Sequence, residues 1–334
     1  GEWLPLTFYK NQNGKLTDYT AEARMSNTHG WWNSITGADF DQDGDIDYVV
    51  GNLGLNSPLK ASAANPVTLV AGDFDQNKSV DAIISRYHQG LQVPFAARDA
   101  LIDQMIVMRK RFPTYASYAN ATLNEVLTAE EMQRAYKFKA SVLTSSYLEN
   151  DGTGKFYYRP LPKAAQISPL FGIQTADYNQ DGQLDILAIG NSYATEFVTG
   201  PYDALRGLLL AGDGKGNFNA SENRDHGFLV AGDGKSLVQM QMASQNKKMV
   251  IASQNNGPLM AYSFTSAGNN LNLYQNDASV MVTLSNGQKR KYEIYYGSGY
   301  LSQQGRSIII PSNAKQVLVT SYDGSEREIE LDYN

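Results

Sequence analysis

The nine residues Asp39-Phe40-Asp41-Gln42-Asp43-Gly44-Asp45-Ile46-Asp47 run into Tyr48-Val49-Val50, and the pattern recurs twice. The second copy is Asp73-Phe74-Asp75-Gln76-Asn77-Lys78-Ser79-Val80-Asp81, followed by Ala82-Ile83-Ile84. The third is Asp177-Tyr178-Asn179-Gln180-Asp181-Gly182-Gln183-Leu184-Asp185, followed by Ile186-Leu187-Ala188. Acidic or amide side chains stand at positions 1, 3, 5 and 9, and an apolar residue at 8. Calcium takes roughly six to eight oxygen ligands at about 2.3–2.6 Å. A tight loop can aim side chains 1, 3, 5 and 9 inward and add the carbonyl of residue 7. Glycine at position 6 permits the sharp turn, and Lys78 in its place weakens the second loop. The donors so assigned are Asp39, Asp41, Asp43, Asp45 and Asp47; Asp73, Asp75, Asn77, Ser79 and Asp81; and Asp177, Asn179, Asp181, Gln183 and Asp185. Three Ca2+ sites are expected. Carboxylates crowded this closely repel one another without a cation, and three divalent ions would cancel the formal net charge of −6.

These loops are not EF-hands, which need a bidentate Glu at position 12 and flanking helices. Position 12 is Val50, Ile84 and Ala188, and the apolar residues around it predict that each loop feeds a β-strand. Upstream of the first and third loops lie hairpin turns, Asn11-Gln12-Asn13-Gly14 and Asn150-Asp151-Gly152-Thr153-Gly154, and a further one follows at Gly212-Asp213-Gly214-Lys215-Gly216. The expected unit is hairpin, strand, loop, strand. A degenerate copy, Ala231-Gly232-Asp233-Gly234-Lys235-Ser236, precedes the alternating Leu237–Met242 stretch. Units of this kind must stack to bury their faces.

The remaining composition narrows the possibilities. Cysteine is absent and histidine occurs three times, which removes disulfides, thiolate zinc sites and cysteine nucleophiles. The negative charge argues against a nucleic-acid partner, and no apolar run has membrane-helix length. Residues 93–145 interrupt the repeats. Apolar residues at helical spacing between Arg98 and Arg111 predict one helix ended by Pro113, and Thr128-Ala129-Glu130-Glu131 is a capping box opening a second through about Ala140. This insertion is expected to cover blade edges, with partner docking as its functional alternative. After residue 270, Ser279–Leu284, Ile308–Ile310, Val317–Val319 and Glu328–Leu331 read as strands, with turns at Asn286-Gly287 and Asp323-Gly324.

The loops resemble FG-GAP/VCBS repeats, the calcium-bearing blades of integrin-type β-propellers, over roughly residues 1–265. The C-terminal segment resembles an ASPIC/UnbV domain through Asn286-Gly287, Gly297-Ser298-Gly299-Tyr300-Leu301-Ser302-Gln303 and Tyr322-Asp323-Gly324, although the family's Phe-Gly-Leu-Gly stretch is missing. Such a pairing occurs in bacterial relatives of cartilage acidic protein. The resemblance implies a mainly β chain: a partial propeller over 1–266, with the helical insertion at 93–145, and a small β-domain over 271–334. Further repeats are expected upstream in the intact protein.

The expected function is a non-enzymatic, calcium-stabilised binding or adhesion module for a protein or glycan. It would be secreted, periplasmic or on the outer surface of a bacterium. A propeller-type polysaccharide hydrolase or lyase is the alternative, with Glu196, Asp203, Arg206 and the Asp225-His226 pair as candidates, and a purely structural role in a larger surface protein is a third reading. The parallel segments Gly51-Asn52 and Gly190-Asn191 suggest a ligand face built from Asn52, Asn56, Asn191, Tyr193, Tyr202 and Asp203, with Trp31-Trp32 as a further platform. The bland reading of the same residues is that they cap turns and fill the core.

Overall fold

The computed structural model describes residues 1–197, 199–242, 247–266 and 268–331. Ala267, at the expected boundary, and residues 332–334 of the expected C-terminal domain lie outside them. The fold is mainly antiparallel β and falls into two compact units. One comprises Gly1–Trp32 with Ser57–Leu143, the other Asn33–Asn56 with Thr144–Asn334.

In the second unit, two sheets follow one plan. Ser34–Ala38 leads through the first acidic loop into Asp47–Gly51. The chain later returns as Ser146–Asn150, which pairs with Asp47–Gly51 and turns into Phe156–Pro160. Leu170–Ala176, the third acidic loop, Asp185–Gly190, Leu208–Gly212 and Phe218–Ser221 repeat that order. The glycine-rich hairpins at 150–154 and 212–216 therefore join the third and fourth strands of a sheet. In sequence they precede the next acidic loop, but in space they belong to the sheet before it. A three-stranded sheet, Gly234–Gln241, Lys247–Gln254 and Met260–Thr265, comes next.

Side-chain alternation explains how these sheets pack. Along Asp185–Gly190, Ile186 and Ala188 join a core with Phe40, Val49, Tyr147 and Phe218, whereas Leu187 and Ile189 join Phe228, Leu237, Val250 and Ala252. Both faces of this strand are thus buried, which is why it reads as an unbroken apolar run. Phe40, Tyr147 and Phe218 meet edge to face, with centroids 5.4–5.8 Å apart.

The C-terminal strands form a four-stranded sheet in the order Lys289–Glu293, Asp277–Leu284, Ala314–Ser321, Glu326–Glu328. Gly268–Asn272 pairs separately with Ser307–Pro311. Their core holds Val280, Val282, Ile308, Ile310, Val317 and Val319.

In the first unit, Val67–Gly72, the second acidic loop and Asp81–His88 form the middle of a sheet flanked by Leu91–Pro94 and Tyr136–Ala140. The Tyr9–Gln12 and Lys15–Asp18 hairpin pairs only with itself. Two expectations are corrected here. The predicted single helix is two, Arg98–Gln104 and Met108–Arg111. The chain turns extended at Met105, so that Met105 and Met108 are both buried while Ile106 is exposed, and Ile106-Val107 is a β-branched pair that adds little helix propensity. The capping box at Thr128 is present, with Glu131 accepting the Thr128 amide, but that helix stops at Arg134. Tyr136–Ala140 is a strand instead, because it satisfies the otherwise free edge of Val67–Gly72, with Tyr136 opposite Ala71 and Ala140 opposite Val67. The helices bury Leu101, Met105, Met108, Leu123 and Val126 on Val70 and Ile83, and so cover a sheet face.

Asp277 is 1% exposed and receives both terminal nitrogens of Arg327 at 2.7 Å, as well as the Tyr274 amide. Asp277→Ala leaves that guanidinium and amide unpaired, and it should cost about 3 kcal/mol, read as a lowered denaturation midpoint. An unchanged midpoint would show that the pair is not holding the C-terminal sheet.

Candidate metal centres

The three acidic loops share one hydrogen-bonded frame. The position-1 carboxylate accepts the position-6 amide: Gly44 to Asp39 at 3.2 Å, Lys78 to Asp73 at 3.0 Å, Gly182 to Asp177 at 2.9 Å. The position-5 side chain accepts the position-7 amide: Asp45 to Asp43, Ser79 to Asn77, Gln183 to Asp181, at 2.7–3.0 Å. The position-9 carboxylate accepts the position-2 amide from Phe40, Phe74 and Tyr178. Backbone angles repeat too. Gln42, Gln76 and Gln180 at position 4 have φ of 63°, 62° and 65°, and position 6 has 96° at Gly44, 71° at Lys78 and 85° at Gly182. The left-handed glutamine was not foreseen from spacing; its recurrence at position 4 in all three copies was the available signal.

Carboxylate oxygens of Asp39, Asp41 and Asp43 lie within 4.8 Å of one another, as do those of Asp73, Asp75 and Asp81. In the first loop one oxygen each of Asp39, Asp41 and Asp45 is buried without a hydrogen-bond partner among the described residues. Buried carboxylate oxygens without donors are costly, and a hard divalent cation is the group that this donor set fits. Burial, and after it the neighbouring carboxylates, raise Asp39 to about 6 and Asp45 to about 7. Burial likewise lifts Asp47 to about 7 and Asp185 to about 6, and Asp41, Asp81 and Asp177 shift upward for the same reason.

Position 9 has a second duty. Asp47 also accepts the Asn150 amide at 2.9 Å and the Tyr147 hydroxyl at 2.7 Å, and Asp185 accepts the Gly212 amide at 3.0 Å. Asn150 and Gly212 are the last residues of equivalent third strands, so this carboxylate ties the loop to the strand beyond its own hairpin. Asp81 has no such strand beside it and joins the acidic cluster instead. The first and third loops also meet through an amide–amide bond from Gln42 to Gln183.

The suggested ligand face is not assembled as a polar surface. Asn52 and Asn191 are fully buried. The Asn52 Oδ1 accepts the Leu53 amide. Asn191 donates to the carbonyls of Leu205 and Gly232 and accepts from Leu205 N and Ser168 Oγ. The preceding glycines allow close backbone approach: a Cβ on Gly51 would strike the Leu170 carbonyl, and one on Gly190 the Pro169 carbonyl. The repeated Gly-Asn is therefore turn architecture. Asn56 is exposed and donates to Ile167 O, Tyr193 donates to Ala231 O, Tyr202 bridges Ser192 through its backbone, and Asp203 is exposed. Trp32 is core, with its indole N–H on Thr28 O, and Trp31 packs on Trp3. Glu196 and Arg206 are exposed, and His226 Nδ1 accepts the Phe228 amide.

No protein-family model matches the chain, and no curated protein matches it as a relative.

Two outcomes follow from the loop geometry. Lys78 holds a left-handed φ of 71° that costs a non-glycine residue about 1 kcal/mol. Lys78→Gly should raise the melting temperature of the first unit and Gly182→Ala should lower that of the second; the reverse order would refute the shared frame. The second outcome concerns pH. Aspartates raised above their unfolded value favour the folded state at low pH, and that contribution is lost as pH rises through about 6 to 7. Chelator-treated protein should therefore melt at a lower temperature at pH 8 than at pH 5.5. A chelated protein equally stable at both would contradict the burial of these carboxylates.

Proposed function

We propose that the chain is a calcium-stabilised binding module of the FG-GAP/VCBS type, with a C-terminal domain of the ASPIC/UnbV type, that acts by recognition outside the cytoplasm. One observation carries this reading: the same loop frame is built three times, each copy linking the first two strands of an antiparallel sheet, with buried carboxylate oxygens left unpaired in the first. The stacking of the sheets on two apolar faces of Asp185–Gly190 supports a propeller-like arrangement of blades. The partner is a protein or a glycan. In each loop the donors belong to the chain itself and are drawn in toward backbone amides, which suits a structural cation better than one presented to a substrate.

Calcium binds the folded state alone, so it stabilises by RT ln(1 + [L]/Kd), about 2.7 kcal/mol at a hundred times Kd. Calorimetric titration of chelator-stripped protein should give three sites, and the triple variant Asp73→Asn, Asp75→Asn, Asp81→Asn should remove one. Calcium should raise the melting temperature, and magnesium should do so less, because it resists dehydration. Failure to bind calcium at millimolar concentration would end this reading. Turnover of a polysaccharide by the calcium-loaded protein, abolished by Asp203→Ala, would replace recognition with catalysis.

A further inference from the structure

In the first unit, a cavity of about 490 Å³ opens beside the edge strand Tyr136–Ala140, within the size range of small-ligand sites. Its walls are mostly apolar. Val70 comes from the neighbouring strand, Leu123 and Met132 from the helical insertion, and Trp3 and Leu4 from the N-terminal strand Glu2–Leu4. Val70, Leu123 and Met132 also pack in the core beneath the helices, so this wall is held in place by its own packing.

Among the described residues none that lines this cavity is acidic, and two are lysines, Lys137 and Lys139. They stand two positions apart on Tyr136–Ala140, opposite Val70 and Thr68, and therefore share with Val70 one face of the sheet. Both are exposed, and neither enters an ion pair among the described residues. The carboxylates on the helix that carries Met132 are spent elsewhere: Glu130 pairs with Arg134 at 3.0 Å and Glu131 with Arg111 at 3.3 Å. The other polar groups on the cavity are satisfied or neutral. Gln92 Nε2 donates to Thr68 Oγ1 and Ser85 Oγ, at 2.8 and 3.0 Å. Burial, and after it Lys139, hold the His29 imidazole below its usual range, so it adds no positive charge at pH 7. What remains is a pair of ammonium groups beside an apolar hollow. An ammonium calls for an anion, and the hollow calls for alkyl surface that would otherwise face water.

We propose that this cavity binds a free single-chain alkyl carboxylate, with the carboxylate on Lys137 and Lys139 and the chain against Val70, Leu123 and Met132. A sugar would need uncommitted amides and hydroxyls, and Gln92 is already spent on its neighbours. A concave hollow also suits one chain better than it suits the flat face of a bilayer. The inference goes beyond the adhesion reading and does not depend on it, since none of the calcium donors lines this cavity.

Calorimetric titration of the full chain, in calcium, with hexanoate, octanoate and decanoate below their micellar concentrations should show saturable one-site binding. Affinity should rise about fourfold for each methylene added. Octanol and octylammonium carry the same chain without the negative charge, and they should bind at least about tenfold more weakly than octanoate. The double variant Lys137→Gln, Lys139→Gln should weaken octanoate about tenfold and leave octanol unchanged, with the circular dichroism spectrum and the calcium stoichiometry as in the parent. Met132→Glu, which sets a carboxylate in the hollow, should weaken octanoate at least as much. The proposal falls if no alkyl carboxylate binds, if octanol or octylammonium binds as tightly as octanoate, if chain length has no effect, or if the lysine variant binds like the parent. Co-sedimentation with phosphatidylglycerol vesicles without binding of free octanoate would make this face a membrane contact and would equally overturn it. Loss of calcium sites alone would count against the functional reading above and leave this result legible.

Discussion

The crowding of carboxylates into nine-residue turns is the constraint on which the rest depends. Backbone amides relieve part of it: in every copy, positions 1, 5 and 9 each accept an N–H from within the loop. The relief is uneven. The first loop carries five aspartates, more than its amides can serve, and it is there that three carboxylate oxygens are buried unpaired. The third has amides at positions 3 and 7, which remove charge and supply further hydrogen bonds, including Asn179 to Asp181 at 2.9 Å. The second is the most exposed, and its frame includes a lysine in a left-handed conformation. The unrelieved negative charge is therefore graded across loops that look alike in sequence.

The same turns organise the sheets. A position-9 aspartate at the start of a strand accepts one amide from its own loop and, in the second unit, one from the end of the third strand. The third strand of the first sheet returns after a long excursion, from Gly51 to Ser146, so loop closure makes that pairing entropically expensive. A buried carboxylate that accepts the Asn150 amide and the Tyr147 hydroxyl offsets some of the cost and fixes the register. Protonation or removal of Asp47 would thus be felt in strand pairing as well as in the turn.

What could be read from sequence was what is local. Glycine at position 6 of the first and third loops, the Asp-Gly and Asn-Gly hairpins and the capping box at Thr128 each act within a few residues, and each appears where expected. Non-local pairing decided the rest. Tyr136–Ala140 carried on a helical pattern on paper but lies where the free edge of Val67–Gly72 needed donors and acceptors. Nothing in Asp47 announces that its second oxygen serves a residue a hundred positions away. The Gly-Asn pairs looked like a ligand face because amides and glycines serve ligands and turns equally well; burial and saturated hydrogen bonds distinguish the two, and neither is visible in spacing.

The C-terminal sheet bears on the loops through its edge strand, Lys289–Glu293. An edge strand has outward amides with no strand to pair them, and here the Lys291 amide donates to Asp39 at 2.8 Å while the Arg290 side chain reaches the Gly182 carbonyl. One strand thus grips position 1 of the first loop and position 6 of the third. Tyr295, just beyond it, sits so close to Gly37 that a Cβ there would come within 2.8 Å of the hydroxyl. The first and third loops and the edge strand are consequently one mechanical element. Displacement of either loop would therefore be felt at the edge strand, and displacement of that strand at both loops.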